Sequence, residues 1–380
     1  MASHIERRKF LATLGGAAVA WPLAARAQQP AMPVIGFLGS ASPDLYAIRL
    51  RTFRQALKEA GYVEGQNVMI EYRWAAGRYD RLPDLAADLV RRGVAVLVVP
   101  GNAASALAAR DATTSIPIVF AISGNPVKLG LVASISQPGG NLTGVNFFHS
   151  ELLTKRFGLL RELLRAPALI AVLVNPSNPE AEGQLKEIEE AARAIGQRIL
   201  VLKASSNSEI DTAFATAVEQ RADAILLNAD TLFNNRRVQI VSLAARHVLP
   251  AIYVWRDWVM AGGLMSYGID LPRVYHQVGA YSGRILKGEK PANLPVVQPK
   301  KFELVINLKT AKALREADRD SSYWLTRRSD VRFRGQTGKH TLVLSLTGFE
   351  PKRSFGAYST CLSALVPDRA MEAWYHPSIA

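Results

Sequence analysis

The chain has 380 residues, of which 49% are hydrophobic and 21% charged, a composition that excludes an intrinsically disordered protein and allows two ordinary domains. The formal net charge is +14, but lysine and arginine are scattered among aspartate and glutamate, which indicates a solvated basic surface and no nucleic-acid partner. The single cysteine, Cys361, excludes an internal disulfide, and the six histidines lack metal-ligand spacing, so we expect no cofactor and no metal.

The N-terminus has the composition of a removable export signal. Arg7-Arg8-Lys9 form a positive segment, residues 10–25 are rich in alanine and glycine, and Ala25-Arg26-Ala27 is a small-x-small cleavage site. The paired arginines favour the twin-arginine route, which exports folded proteins. We therefore expect residues 1–27 to be removed and the mature protein to be periplasmic. The alternative is a buried N-terminal helix, which two glycines and a proline disfavour.

From residue 33 onward, short β-branched runs alternate with amphipathic stretches of helical length, which is typical of a parallel sheet covered by helices. The alternation occurs twice, and local phrases correspond, such as GSASPD at 39–44 and NPSNPE at 175–180. The sequence therefore predicts an α/β fold of two doubly wound parallel-sheet lobes with a ligand cleft between them. Strands are expected at 33–38, 68–72, 94–99 and 116–120 in the first half and at 169–174, 198–202, 222–227 and 250–254 in the second.

Polar and aromatic residues follow the strands in both halves. Ligands of doubly wound sheets bind beyond the carboxyl ends of the strands, where loops and helix N-termini present free N–H groups. Serine and asparagine at these positions either bind a carboxylate of the ligand or only cap a helix. Asp230 either binds an amine of the ligand or pairs with a nearby arginine. The aromatic rings either contact the ligand or belong to the core. The candidate ligand-binding residues are Ser40, Ser42, Asn102, Ala103, Ser123, Asn125, Asn175, Ser177, Asn178, Asn228, Asp230, Tyr253 and Tyr267.

Four longer phrases are more specific than this pattern. They are FAISGNPVKLGLVASISQPGGNLTGVNFF at 120–148, SLAARHVLPAIY at 242–253, AGGLMSYGIDL at 261–271 and ILKGEKPANLPVVQPKKFELVINLKTAKAL at 285–314. Together they closely resemble the ABC-transporter substrate-binding family that includes tryptophan- and tyrosine-type uptake receptors with the type I periplasmic-binding fold. The resemblance covers residues 32–314. An Asp-Pro pair of the family is here Asn125-Pro126.

The resemblance implies a receptor that closes on a small polar metabolite, an amino acid or a related aromatic or carboxylated compound, and delivers it to an ABC permease in the membrane. It implies a monomer whose first lobe comprises 32–145 plus 268–292 and whose second comprises 146–267 plus 293–314. Three crossings between the lobes would form a hinge.

Other functions find less support in the sequence. An enzyme on this fold would need positioning glycines or a nucleophile, but G-x-G-x-x-G, G-x-x-x-x-G-K-[ST] and G-x-S-x-G motifs are missing from the expected places. A transcription regulator would need a DNA-binding headpiece where the export signal lies. A sensor that reports its ligand to a membrane receptor is the alternative that the sequence leaves open.

The resemblance stops at Leu314, although relatives continue to an ending near Leu-Leu-x-x-Ala-Asp-Glu-x-Ile. One set of codons for residues 324–329, TGG CTG ACG AGG CGA TCG, spells Ala-Asp-Glu-Ala-Ile when read from its third base. We therefore hypothesise that a frameshift replaced the family terminus with an unrelated tail, 315–380, that is poorly ordered and leaves Cys361 without a function. The alternative is a genuine appended module in which TLVLSLTGF at 341–349 forms a strand.

Overall fold

The structure is a computed structural model that describes residues 32–147, 150–164, 168–317, 336–338 and 341–347. The predictions for residues 1–27, for Cys361 and for most of 315–380 lie outside these residues. Within them the chain forms two sheets, each covered by helices, as the alternating pattern predicts.

The first sheet is entirely parallel, with strand order β2-β1-β3-β4-β5. Its central strands β3 and β4 are buried along their whole length, as expected for a parallel sheet with helices on both faces. Its strands are β1 Val34–Gly39, β2 Met69–Trp74, β3 Val96–Pro100, β4 Ile118–Ile122 and β5 Leu142–Asn146, and its first helices are α1 Ala47–Glu59, α2 Leu82–Arg91 and α3 Ala103–Ala112.

The second sheet has the order β12-β13-β11-β10-β9-β8-β6-β7, parallel from β7 to β10 and antiparallel from β10 outward. Its strands are β6 Leu169–Val174, β7 Arg198–Lys203, β8 Ala224–Leu227, β9 Ala251–Tyr253, β10 Met265–Ile269, β11 Lys301–Asn307, β12 Gln336–Gly338 and β13 Thr341–Thr347. Its helices are α4 Ser150–Leu163, α5 Ala181–Ala194, α6 Asn207–Glu219, α7 Thr231–Asn235, α8 Arg237–Arg246, α9 Arg256–Met260 and α11 Leu308–Ala317.

One helix after β10 returns to the first sheet. This helix, α10 Leu271–Leu286, packs along α1, where Gly279 allows the two backbones to approach closely. The chain then passes β5, where Val297 accepts a hydrogen bond from Asn146 N, and enters β11 of the second sheet. We call the first sheet with α1–α3 and α10 lobe 1, and the second sheet with α4–α9 and α11 lobe 2. The chain connects them three times, after β5, after β10 and before β11.

The eight strands expected from the duplicated pattern all form, with ends shifted by at most two residues. Strand β5 was not expected, because its short LTGVN run follows Pro-Gly-Gly-Asn and carries little apolar periodicity. In the tail, Thr341–Thr347 pairs antiparallel with all seven residues of β11, as the strand alternative for this segment predicts.

Candidate functional site

A cavity lies between the two lobes at the carboxyl ends of the parallel strands. Loops after β1, β3 and β4 form its lobe 1 wall, and loops after β6, β8 and β9 form its lobe 2 wall. Its volume is about 50 Å³, enough for a few water-sized groups. The position is the one expected for ligand binding to doubly wound sheets.

Asp230 is the most extensively hydrogen-bonded group of the cavity. It caps the N-terminus of α7, where Oδ1 accepts from the N–H groups of Leu232 at 2.8 Å and Phe233 at 3.4 Å. Oδ1 also accepts from Asn175 Nδ2 at 3.0 Å, and Oδ2 accepts from Asn178 Nδ2 at 2.9 Å. Burial raises the pKa of Asp230, and hydrogen bonds from the surrounding side chains oppose that rise.

Tyr79 reaches Asp230 from the other lobe. It lies in a short 3₁₀ turn after β2, and its hydroxyl donates to Asp230 Oδ2 at 3.0 Å. Burial, reinforced by the negative charge of Asp230, raises the pKa of Tyr79, so the phenol remains a protonated donor. With this bond the carboxylate accepts from five donors of the protein.

A second polar bridge between the lobes runs through Asn102. Its Oδ1 caps α3 by accepting from Ser105 N at 2.9 Å, which leaves its amide Nδ2 to donate to Thr231 Oγ1 of lobe 2 at 3.2 Å. The Thr231 hydroxyl in turn lies 3.4 Å from Ser40 Oγ of lobe 1. A ligand entering this part of the cavity meets hydroxyl and amide groups from both walls.

Arg49 supplies positive charge to the cavity wall. It projects from α1, is 8% exposed, and its Nη2 donates to Asp257 Oδ2 of lobe 2 at 3.1 Å. Its guanidinium carbon lies 5.6 Å from the ring centroid of Tyr46 and 5.9 Å from that of Tyr275, within cation–π range. Burial by itself lowers the pKa of Arg49, but Tyr275 and Asp257 outweigh it and raise the pKa overall.

Glu180 brings a second carboxylate, from the loop before α5. Burial raises the pKa of Glu180, and the nearby backbone of Ala103, the first residue of α3 in lobe 1, opposes that rise. The carboxylate fits there because Gly124 has no side chain: a Cβ on Gly124 would lie 2.8 Å from Glu180 Oε1. The N-terminus of α3 thus holds a negative group from the opposite lobe.

The remaining wall of the cavity is aromatic. Trp255 and Phe147 meet edge to face, with ring centroids 5.7 Å apart, and both line the cavity. Tyr46 lines it as well, and its hydroxyl donates to the carbonyl of Pro100 at 3.2 Å. These rings offer an apolar surface beside the charged groups.

Five residues predicted from the sequence line the cavity: Ser40, Asn102, Ser123, Asn178 and Asp230. Two others support them from behind: Asn175 donates to Asp230, and Asn228 Nδ2 donates to Gln184 Oε1 at 2.8 Å. The sequence left a nearby arginine open as a partner of Asp230. In the structure its carboxylate instead accepts from the five donors described above.

The other predicted residues lie outside the cavity. Asn125 Oδ1 accepts from the N–H groups of Val127 and Lys128, Ala103 is buried at the start of α3, and Ser42 and Ser177 lie on the loops without lining it. Tyr253 stacks on Trp258 at 4.9 Å in the core, and Tyr267 stacks on Phe302 at 6.3 Å.

Several cavity residues escape sequence reasoning. Arg49 occupies one position of an amphipathic helix that carries other arginines, and Tyr275 has the spacing of a core residue on α10. Tyr79 and Glu180 lie in loops, and only the approach of the lobes brings them into one site. Thr231 follows Asp230 directly, so of these residues it was the easiest to predict from the sequence.

The described residues contain neither a metal-ligand cluster nor a membrane-spanning helix. They contain no group of three His, Cys, Asp or Glu side chains that could hold a metal ion. Within the same residues, no helix combines the length and the apolar character needed to cross a bilayer.

Comparison with known proteins agrees with this architecture. A family model described as "ABC transporter substrate binding protein" matches residues 38–317. A tyrosine-binding protein of Clostridioides difficile is 27% identical over 262 residues, which cover 69% of this chain and 75% of that protein.

Two solved structures are similar in both sequence and fold. A conserved domain protein from Vibrio cholerae has a TM-score of 0.69 and an ABC domain in complex with L-Trp from Streptococcus pneumonia one of 0.66. Each is 26% identical, and each comparison covers 74% of this chain and 94% of the other. The predicted two-lobed fold of the type I periplasmic-binding class is thereby confirmed.

Proposed function

The chain belongs to the ABC transporter substrate-binding protein family, and on that premise we propose that it is the extracytoplasmic solute receptor of an ABC importer. Proteins of this family bind a solute for transport and are not enzymes. The solute that we propose is a small polar metabolite, an amino acid or a related aromatic or carboxylated compound. It would be bound in the cavity between the lobes.

The observation that carries this proposal is that the cavity has walls from both lobes and polar contacts across it. Tyr79 donates to Asp230, Asn102 donates to Thr231, and Arg49 pairs with Asp257, each pair joining lobe 1 to lobe 2. A solute that contacts both walls binds the closed arrangement better than an open one and shifts the equilibrium toward it. Closure about the three connections is therefore the proposed response to the solute.

The size of the cavity bears on how a solute enters. A cavity of about 50 Å³ is smaller than tyrosine or tryptophan requires, so a solute of that size needs the lobes further apart than in this structure. The contacts across the cavity are a few hydrogen bonds and one ion pair, which separate at modest free energy.

The names of two relatives support the solute class: one is a tyrosine-binding protein and the other was solved with L-Trp. The cavity offers aromatic rings together with a guanidinium and two carboxylates, which suits a ligand with an apolar body and a charged end. Residues 1–27 would direct a monomer to the periplasm by the twin-arginine route, where an ABC permease is its partner.

A thermal-shift screen of amino acids, organic acids, sugars and metal ions tests the proposal. A solute at 100 times its dissociation constant stabilises the protein by roughly 2.7 kcal/mol, a shift of several degrees at most. Thr231→Val should weaken binding about tenfold, because it removes a hydroxyl from the cavity wall. Thr212→Val, at an exposed position of α6, is the matched control. Stabilisation only by sugars or metal ions would contradict the solute class.

A further inference from the structure

We propose that the solute is an organic acid without an α-ammonium group, held by its carboxylate on Arg49. This inference rests on the proposed function and narrows its solute class. The inference follows from which donor and acceptor positions of the charged side chains are already used within the protein. The charges alone would not lead to it.

The guanidinium of Arg49, the cation of the cavity, has an unused hydrogen-bond donor. Arg49 Nη2 donates to Asp257, whereas Nε is buried and has no hydrogen-bond partner among the described residues. A buried guanidinium N–H without an acceptor is unfavourable, and a carboxylate can accept from two N–H groups of one guanidinium in parallel. Arg49 lines the cavity, so an acid bound there lies beside a guanidinium whose Nε the protein leaves without an acceptor.

The charge around Arg49 also favours an anion. Arg237 of lobe 2 shares the electrostatic field of Asp257 with Arg49, and its Nε is likewise buried without a partner in the described part of the chain. Burial lowers the pKa of Arg237, and the nearby charge of Arg49 contributes to that shift. Two guanidinium groups therefore lie in the field of one carboxylate, that of Asp257.

The carboxylate of Asp230, the first anion of the cavity, has no unused acceptor position. Asp230 accepts from Leu232 N, Phe233 N, Asn175 Nδ2, Asn178 Nδ2 and Tyr79 Oη, all within 3.4 Å. A carboxylate has about four lone-pair positions, so five protein donors occupy them all. An ammonium group would have to displace one of these donors in order to bind.

The second anion of the cavity, the carboxylate of Glu180, lies against a helix N-terminus. Glu180 lies near the backbone of Ala103 at the N-terminus of α3, where the partial positive charge of the helix stabilises its carboxylate. Among the described residues that line the cavity, Arg49, Asp230 and Glu180 are the charged ones. An α-ammonium group would therefore find Asp230 without a free acceptor position and Glu180 already opposed by a helix N-terminus, which disfavours amino acids relative to the matching acids.

Matched pairs of solutes test this directly by calorimetry with the purified protein. The pairs are alanine and propionate, leucine and 4-methylpentanoate, and tyrosine and 3-(4-hydroxyphenyl)propionate, which differ only in the ammonium group and span three sizes. We expect the acid of the best-fitting pair to bind at least tenfold more tightly than its amino acid. Binding of an amino acid as tight as that of its acid would overturn the inference and leave solute binding in place.

Four variants test separately the role of Arg49 and the role of Asp230. Arg49→Met should abolish binding of the acid and Arg49→Lys should weaken it, whereas Arg51→Met, exposed on the same helix, should not change it. Tyr79→Phe removes one donor from Asp230 and should raise the affinity for the amino acid relative to the acid.

The outcomes distinguish this inference from the proposed function. Unchanged acid binding by folded Arg49→Met, checked by its melting curve, would overturn the role of Arg49 while the receptor function stands. An unchanged ratio of affinities in Tyr79→Phe would overturn the argument from Asp230. If no acid, amino acid or neutral solute of a broad screen binds the wild-type protein, the proposed function fails together with the inference.

Discussion

The hydroxyl of Tyr79 in lobe 1 donates to Asp230 Oδ2 in lobe 2 at 3.0 Å, although the two residues are 151 positions apart in the chain. Asp230 is held rigidly by the N-terminus of α7 and by Asn175 and Asn178, so it offers a fixed acceptor. In the closed arrangement, Tyr79 from a loop of lobe 1 therefore contacts a carboxylate, Asp230, that lobe 2 has already positioned. Such a contact can break and reform without any change inside either lobe.

The cap of α3 should couple stability to binding. Asn102→Ala removes the cap, which accepts from Ser105 N, and should destabilise the protein by about 1 kcal/mol in urea denaturation. It also removes the donor to Thr231 across the cavity, so solute binding should weaken about tenfold by calorimetry.

Ser206→Ala is the control for this prediction. Ser206 caps α6 far from the cavity by accepting from Glu209 N. It should cost similar stability and leave solute affinity unchanged. An equal loss of affinity in both variants would show that reduced stability, and not the lost contact with Thr231, weakens binding.

The close packing of α10 on α1 should depend on Gly279. A Cβ at this position would lie 2.5 Å from the carbonyl oxygen of Phe53 and 2.8 Å from Ala56 Cβ. Gly279→Ala should therefore destabilise the protein by roughly 1–3 kcal/mol, despite the better helix propensity of alanine. Gly183→Ala, in α5 with open space around its Cβ position, should instead stabilise by roughly 0.5 kcal/mol. Denaturation of both variants checks this, and stabilisation by Gly279→Ala would refute the packing argument.

The fold could be predicted from the sequence because its signals are local. The runs VLVVP at β3 and LIAVLV at β6 are continuous and apolar, as strands buried on both faces require, and each is followed by a helical period. Strand β5 was missed because LTGVN has a threonine, a glycine and an asparagine among five residues, and its burial comes from neighbours distant in sequence.

The site could be predicted only in part, because only some of its residues follow strands. Ser40, Asn102 and Asp230 lie directly beyond strand ends, where the topology of the fold places ligands. Arg49 lies on a helix, and its role depends on the approach of Asp257 from lobe 2, which no local pattern encodes. Tyr253 was chosen for its aromatic ring at the carboxyl end of β9, but the ring packs in the core against Trp258.

The stability of lobe 2 should depend on pH through Glu162 near the end of α4. Burial raises the pKa of this half-buried carboxyl to about 7, and its Oε2 has no hydrogen-bond partner among the described residues. Because the folded protein holds this proton more tightly than the unfolded chain, whose pKa is about 4.3, stability falls as pH rises from about 4.5 to 7.

Glu162→Gln should remove that loss. The variant should match the wild type at pH 4.5 and exceed it at pH 8 by roughly 1 kcal/mol, a value discounted for the screening of a half-exposed group. Urea denaturation at both pH values measures the difference, with Glu190→Gln, exposed on α5, as the control. A constant difference between the variant and the wild type across this range would rule out titration of Glu162 as the cause.

Export should require the paired arginines of the N-terminal segment, residues 1–27. Replacing Arg7-Arg8 by Lys-Lys keeps the charge but removes the twin-arginine pair, so the precursor should accumulate inside the cell. Immunoblots of periplasmic and cytoplasmic fractions measure this, and Arg26→Lys near the cleavage site is the charge-conserving control. Normal export of the double variant would exclude the twin-arginine route while leaving a periplasmic location possible through general secretion.

Solute binding should not require the residues that follow Ala317. The described residues that line the cavity all lie between Ser40 and Tyr275, so a chain that ends at Ala317 should bind the solute with an unchanged dissociation constant. The same should hold for a chain in which the restored reading frame encodes the Ala-Asp-Glu ending that we hypothesise. Thermal stability is a separate readout, since β13 covers β11 along seven residue pairs and its removal exposes that edge of the sheet. A tenfold loss of affinity in both chains would contradict the proposal that the tail is unrelated to the receptor, as would a DNA sequence whose other frame does not encode this ending.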